Sequence, residues 1–154
     1  MNVIEIRGLR KEYHSRGRVH ARVDTLDPAG PAGGVYGFLG PNGSGKTTTI
    51  RCLLGLVGAT AGRISLLGVK SPRDLGRVVN RIGSIVETPT FFPNFSAQRN
   101  LSLLAGIAGV PASRVDAALS SVGLRPRAKQ AVRGYSLGMR QRLGIAAALL
   151  KDPE

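Results

Sequence analysis

The sequence is poor in the features that mark secreted and membrane-spanning proteins. Cys52 is the only cysteine, so no disulfide can form within the chain. The longest uninterrupted apolar run, Ile145–Leu150, is far shorter than the roughly 18 residues that span a bilayer. The N-terminus has no basic stretch followed by an apolar one, so we expect no secretory signal peptide. These absences favour a protein of a reducing compartment.

Acidic and aromatic residues are also scarce. The chain has 9 Asp and Glu residues against 22 Lys and Arg residues, which gives a formal net charge of +13. Such a charge suits a nucleic acid or an anionic lipid surface. There is no long run of consecutive basic residues, and an aromatic content of 5% without tryptophan gives no evident base-stacking surface. We favour an ordinary arginine-rich surface and keep nucleic acid binding as the alternative.

The hydrophobic pattern predicts one α/β domain with a helical section towards the end. A hydrophobic share of 42% over 154 residues is enough for a core. Strands are predicted at Val3–Ile6, Val35–Leu39, Arg63–Leu67 and Arg81–Val86. Helices are predicted at Lys46–Leu56, Pro72–Asn80, Ala97–Ala108, Arg114–Val122 and Leu137–Lys151, the last three with Ser96, Ser113 and Ser136 as N-caps.

The strongest motif is GPNGSGKT at Gly40–Thr47, which fits G-x-x-x-x-G-K-S/T at every fixed position. Glycines let backbone N–H groups face a phosphate, and the following helix presents its positive end to the anion. Lys46 adds a cation for the β- and γ-phosphates, and the Thr47 hydroxyl can bind Mg²⁺. The predicted phosphate-binding residues are Gly40, Pro41, Asn42, Gly43, Ser44, Gly45, Lys46, Thr47 and Thr48.

Several classes of nucleotide-binding protein use such a loop, and two later segments narrow the choice. A GTPase would carry N-K-x-D, which is absent, and no acceptor site of a small-molecule kinase is visible. These segments are RIGSIVETPTFFPNFSAQRNL at Arg81–Leu101 and YSLGMRQRL at Tyr135–Leu143. Arg81–Glu87, with Pro89 and Pro93, resembles the Q-loop region of an ABC transporter nucleotide-binding domain, and Tyr135–Arg142 resembles its signature motif. Gly37–Leu56 resembles the Walker A region of that family. The resemblance covers essentially the whole chain.

This resemblance implies a P-loop NTPase core of ABC type with a helical subdomain, and ATP with Mg²⁺ as cofactors. About residues 1–90 would belong to the core, about 91–135 to the helical subdomain and 136–154 to the signature helix. The Walker B Asp-Glu pair and the later switch histidine are not found in the sequence. We therefore expect a domain truncated before the Walker B strand. Its apolar edge at Val35–Leu39 would be uncovered and its ATP hydrolysis is in doubt.

Four further residues receive candidate roles from the family. Tyr13 lies at the place of the aromatic that stacks on adenine. Glu87 stands where glutamine is usual, as in exporters linked to bacitracin and lantibiotic resistance, and its carboxylate would lie beside Mg²⁺ and the attacking water. Ser136 and Gly138 match positions that face the γ-phosphate of nucleotide held by the opposite subunit. The alternatives are an exposed tyrosine, a strand-end glutamate and an ordinary helix cap.

The function that the resemblance implies is that of an ATP-binding subunit that couples ATP binding and hydrolysis to export across a membrane, with a drug or peptide antibiotic as the expected substrate. Its partners would be a separate transmembrane permease and a second nucleotide-binding domain in a head-to-tail dimer, and the subunit would lie on the cytoplasmic face of the membrane. A nucleic acid partner is not expected. The alternatives are a non-catalytic nucleotide-binding fragment and a soluble ABC ATPase that acts on nucleic acid or ribosomes. For Phe91, Phe92 and Phe95, core packing is favoured over contact with the membrane partner.

Overall fold

A computed structural model describes residues 2–15 and 18–154 of the chain. The chain forms two compact units, which we call the N-terminal unit (Met1–Val79) and the C-terminal unit (Asn80–Glu154). No helix in the described part of the chain is long and apolar enough to cross a membrane.

The N-terminal unit is an antiparallel sheet with one helix. Its strands are β1 (Asn2–Ser15), β2 (Arg18–Leu26), β3 (Ala29–Pro31), β4 (Ala61–Leu66) and β5 (Val69–Ser71). The order is β2-β1-β4-β5, and β3 also pairs with β1. Ile6 lies opposite Ile64, and both are buried beside Cys52 of helix α1 (Lys46–Leu53). Burial raises the pKa of the Cys52 thiol, as expected for a packing residue.

The sequence patterns predicted β4 and the first part of β1, but not the hairpins of this unit. β1 extends far beyond the predicted Val3–Ile6, and β2, β3 and β5 were not predicted. In β2, Val19, Ala21 and Val23 alternate with polar residues, a strand pattern that the prediction passed over. The pairing of β2 with β1 is a contact between separate segments, which no single segment of sequence shows. The predicted helix at Lys46–Leu56 is confirmed in its first eight residues and ends before Gly55, whose φ of 68° is typical of a helix stop.

The predicted buried strand at Val35–Leu39 is wrong. The segment belongs to no strand, and Val35 and Leu39 have relative exposures of 104% and 91%. Tyr36 and Phe38 nevertheless line an apolar cavity of about 220 Å³ together with Thr49 of α1. Exposure therefore alternates along the segment, but no described residue pairs with it, and a strand needs a hydrogen-bonded neighbour.

Two more predicted elements are wrong. Pro72–Asn80 contains short 3₁₀ turns at Leu75–Arg77 and Val79–Arg81 in place of a helix. Gly76 lies in the middle of that segment, where glycine disfavours a helix by about 1 kcal/mol relative to alanine. Arg81–Val86 is irregular after its first residue, because no described strand pairs with it.

The C-terminal unit is helical. It contains α2 (Ala97–Ala108), α3 (Ser113–Ser121) and α4 (Leu137–Leu149), all within two residues of the predicted bounds. Their apolar faces meet in one core in which Leu101, Leu119 and Leu143 are fully buried. Ser96 and Ser136 cap α2 and α4 as predicted, each accepting a hydrogen bond from the N–H group three residues later. Ser113 is instead the first residue of α3, because the preceding Ala112 already has helical backbone angles.

Candidate functional site

Glycine geometry shapes the Gly40–Thr48 loop at the start of α1. Gly43 and Gly45 have φ values of 83° and 91°, in the left-handed region that side chains disfavour. The Ser44 N–H donates to the Pro41 carbonyl at 3.2 Å, which closes a turn inside the loop. The first helical hydrogen bond runs from the Thr49 N–H to the Gly45 carbonyl at 2.8 Å. Helix geometry thus leaves the preceding N–H groups without acceptors inside the helix.

The ammonium group of Lys46 is held over the same loop. Its Nζ donates to the carbonyl oxygens of Gly40 and Pro41, at 2.6 and 2.8 Å. Gly40 in turn lies close to Ser44, because a Cβ at position 40 would lie 2.7 Å from the Ser44 Oγ. A side chain at position 40 would therefore displace the Ser44 hydroxyl, and the loop holds the positive charge of Lys46.

The loop surrounds a cavity of about 250 Å³. The residues that line this phosphate-loop cavity are Asn42, Gly43, Gly45, Lys46, Thr47 and Thr48. Backbone N–H groups, a helix N-terminus and one ammonium group are the donor set that binds phosphate in proteins. The residues present therefore fit a nucleotide phosphate chain. Among the described residues, no cluster of three or more His, Cys, Asp or Glu could hold a metal ion. A Mg²⁺ ion bound mainly by phosphates and water needs only one or two protein ligands, and the Thr47 hydroxyl fits that need.

Tyr13 is in the N-terminal unit but not in the wall of this cavity. It lies inside β1, opposite His20 of β2, and not beyond the end of a strand as its sequence position suggested. The residue is 39% exposed, and the Lys11 ammonium group lies over its ring, 4.8 Å from the ring centroid. Stacking of Tyr13 on adenine stays a prediction.

Glu87 belongs to the C-terminal unit, where the structure brings it close to α4. It lines a cavity of about 400 Å³ together with Ile85, Thr88, Pro89, Leu137, Gln141 and Ile145. The close packing of Pro89 on Gly144 fixes this segment, since a Cβ at position 144 would overlap the proline ring. Glu87 and Leu137, the first residue of α4, therefore line the same cavity.

Ser136 and Gly138 lie at the N-terminus of α4, and both are exposed. The Ser136 Oγ accepts a hydrogen bond from the Met139 N–H at 3.3 Å, so the residue acts as a helix cap. A Cβ at Gly138 would meet nothing within 4 Å. The helix turn around Gly138 therefore presents open backbone to solvent.

Sequence reasoning missed Asn100, which holds the loop before α2. Its side chain is buried, accepts from the Phe92 N–H at 2.8 Å and donates to the carbonyls of Phe92, Phe95 and Ser96. A polar residue in a helix gives no sequence signal of such a role. Phe91 packs on the helical core as predicted, whereas Phe92 is exposed and Phe95 is half-buried against Phe92 and Arg99.

Comparison with known proteins tests the predicted family. The sequence profile of the ABC transporter family matches residues 24–154, which include the phosphate loop, Glu87 and the start of α4. The chain belongs to the ABC transporter family. This membership confirms the predicted P-loop NTPase fold class of ABC type.

Three relatives of this ABC transporter chain are named as bacitracin or lantibiotic transport ATP-binding proteins. It is 45% identical over 153 residues to the bacitracin transport ATP-binding protein BcrA of Bacillus licheniformis, covering 99% of this chain and 49% of that protein. It is 40% identical to BcrA of Enterococcus faecalis, of which it covers 48%. It is also 39% identical to the lantibiotic transport ATP-binding protein SrtF of Streptococcus pyogenes, of which it covers 63%. The predicted resemblance is confirmed, and the chain spans about half the length of the BcrA proteins.

Proposed function

We propose that this chain is the nucleotide-binding part of the ATP-binding subunit of an ABC exporter, with ATP and Mg²⁺ in the phosphate-loop cavity. The observation that carries the proposal is the position of Lys46, whose ammonium group lies within the loop that lines this cavity. Lys46 would contact the β- and γ-phosphates, and the N–H groups of the first turn of α1 would bind the other phosphate oxygens. When bound, Mg²⁺ would neutralise charge on the phosphate oxygens, beside the Thr47 hydroxyl.

The remaining site residues receive roles that rest on the motif match. Tyr13 would stack on adenine, a contact worth about 1–3 kcal/mol for bases on aromatic rings. Glu87 would orient the attacking water on the magnesium side of the nucleotide. Ser136 and Gly138 would offer a hydroxyl and a backbone N–H to the γ-phosphate bound by a second subunit, which requires a head-to-tail dimer. Residues 91–135 would form the helical subdomain, and α4 would be the signature helix.

The names of the relatives support a peptide antibiotic as the proposed substrate class. The bacitracin and lantibiotic transport proteins favour export of a peptide antibiotic over an action on nucleic acid or ribosomes. A separate permease would form the path across the membrane and choose the substrate. The chain would then lie on the cytoplasmic face of that membrane, bound to the permease.

Alanine at Lys46 tests the nucleotide site. We expect Lys46→Ala to weaken ATP binding more than about tenfold, because hydrogen bonds to charged groups are each worth about 1.5–3 kcal/mol. Titration calorimetry with ATP and Mg²⁺ on the 154-residue chain measures the affinity. Circular dichroism checks that the variant keeps its fold.

Lys129→Ala is the matched control for Lys46→Ala. Lys129 is exposed, lies in the C-terminal unit and does not line the phosphate-loop cavity. Its substitution by alanine removes the same charge as Lys46→Ala. We expect it to bind ATP as the unmodified chain does. Equal affinity of the Lys46→Ala variant and the unmodified chain would show that the nucleotide does not bind in this loop.

A further inference from the structure

The outer face of the N-terminal sheet carries a group of charged side chains unrelated to the phosphate loop. Alternation along β1 and β4 turns Ile6 and Ile64 inwards and places Arg7 and Arg63 on the opposite face. The register sets Arg7 directly opposite Arg63. On the same face, Ser65 of β4 lies opposite Lys70 of β5.

Placing two arginines directly opposite each other is unfavourable, because like charges on paired positions destabilise a sheet. Glu5 relieves part of this cost, since its carboxylate accepts from the Arg7 Nε at 3.0 Å. In the described part of the chain, no carboxylate lies within ion-pair distance of Arg63 or Lys70. The sheet therefore keeps two cations on its outer face without a protein counter-charge.

These side chains enclose a cavity of about 400 Å³, which we call the outer-face cavity. Four cationic side chains line it against the single carboxylate of Glu5, and the Ser65 residue adds a hydroxyl group. The residues that contribute the positive charge are Arg7, Arg63, Lys70 and Arg73. Its volume is within the range of small-ligand pockets, about 300–1,000 Å³.

We propose that the outer-face cavity binds a phosphate group, carried by a phosphorylated small molecule or by a lipid headgroup. Guanidinium groups form paired hydrogen bonds to phosphate oxygens, and converging cations favour a doubly charged group over a single carboxylate. A bound phosphate would also supply a negative charge to Arg63 and Lys70, which have no carboxylate within ion-pair distance in the described part of the chain. The outer-face cavity shares no lining residue with the phosphate-loop cavity, so this site is independent of the proposed ATP site.

A titration with pyrophosphate tests the soluble source of the phosphate. It uses the 154-residue chain with Lys46→Ala, which weakens competition from the phosphate loop, and follows backbone amides by NMR. We expect shifts at β1, β4 and β5. Combining Arg63→Gln with Lys70→Gln should weaken this binding by at least about tenfold, because each contact removed is a charge-assisted hydrogen bond.

A matched double variant controls for the loss of overall charge. Arg10→Gln with Arg77→Gln also removes two exposed cations from the N-terminal unit, and neither residue lines the outer-face cavity. This variant should keep the pyrophosphate affinity. Equal losses in the two double variants would show a diffuse charge effect and overturn the proposal.

Vesicles test the lipid source. Co-sedimentation compares vesicles that contain phosphatidylglycerol with vesicles of phosphatidylcholine alone, using the same variants. Binding to the anionic vesicles that needs Arg63 and Lys70 supports the proposal and assigns the phosphate to a lipid. Absence of binding in both arms overturns it. Binding of a homopolymeric RNA through the same residues, without a response to pyrophosphate or vesicles, also overturns it and indicates a nucleic acid partner.

Discussion

Alanine at Gly62 is expected to lower the free energy of unfolding of the N-terminal unit by about 3–5 kcal/mol. Gly62 has a φ of 95°, where any L side chain is strained. An added Cβ would overlap the Gly8 carbonyl oxygen and lie 2.7 Å from the Leu9 Cα. These contacts are backbone atoms of β1, so rotation of a side chain cannot relieve the overlap. Either β1 and β4 separate locally or the strand pair loses its register.

Hydrogen exchange of the β1 and β4 amides, measured by NMR in increasing urea, reports this loss for the N-terminal unit alone. Gly68→Ala separates the effect of backbone strain from the effect of overlap with β1. Gly68 has a φ of 79°, but a Cβ there would meet nothing within 4 Å. Gly68→Ala should lower the free energy of unfolding only by the backbone strain of alanine at positive φ, about 1–2 kcal/mol. If both variants lose the same stability, the close approach of β1 and β4 at Gly62 is not a constraint.

Alanine at Asn100 is expected to destabilise the C-terminal unit by about 2–4 kcal/mol. The substitution removes the acceptor for the Phe92 N–H and the donor to the Phe92 and Ser96 carbonyls, at 2.8, 3.1 and 3.0 Å. Asn100 is buried, so water replaces these bonds poorly and the backbone groups lose their partners. The loop before α2 should then open more often than the helices unfold.

Urea denaturation followed by circular dichroism measures the loss for Asn100→Ala, and the exchange rate of the Phe92 amide locates it. Asn94→Ala serves as the control, because Asn94 is exposed in the same loop and its removal should change stability by less than about 0.5 kcal/mol. A Phe92 amide that stays protected in Asn100→Ala would contradict the role given to Asn100.

The parts of the fold that the sequence predicts are those set by local chemistry. α2 and α4 begin at serine caps that bond within four residues, so their first residues follow from the sequence. The phosphate loop is equally local, since its glycines and Lys46 act within one turn. The strands are different, because pairing between distant segments defines them. The apolar run at Val35–Leu39 has strand composition and no paired neighbour in the structure.

The functional residues also divide into those set by local sequence and those set by contacts between distant segments. The residues that line the phosphate-loop cavity all lie between positions 42 and 48, within the loop that the motif predicts to bind phosphate. Asn100 acts through a buried contact with a loop eight residues earlier, which nothing in its sequence surroundings indicates. The outer-face cavity depends on the register of three strands, two of them missed or shortened in the sequence-based prediction.

The pairing of Arg7 with Arg63 has a consequence for the solvent around the sheet. In solution, mobile anions must gather near this face, because it carries more cations than the chain itself balances. A phosphate that binds there would release those small ions and gain their entropy of mixing. The strength of such an association would then depend on the composition of the surrounding buffer as much as on the shape of the cavity.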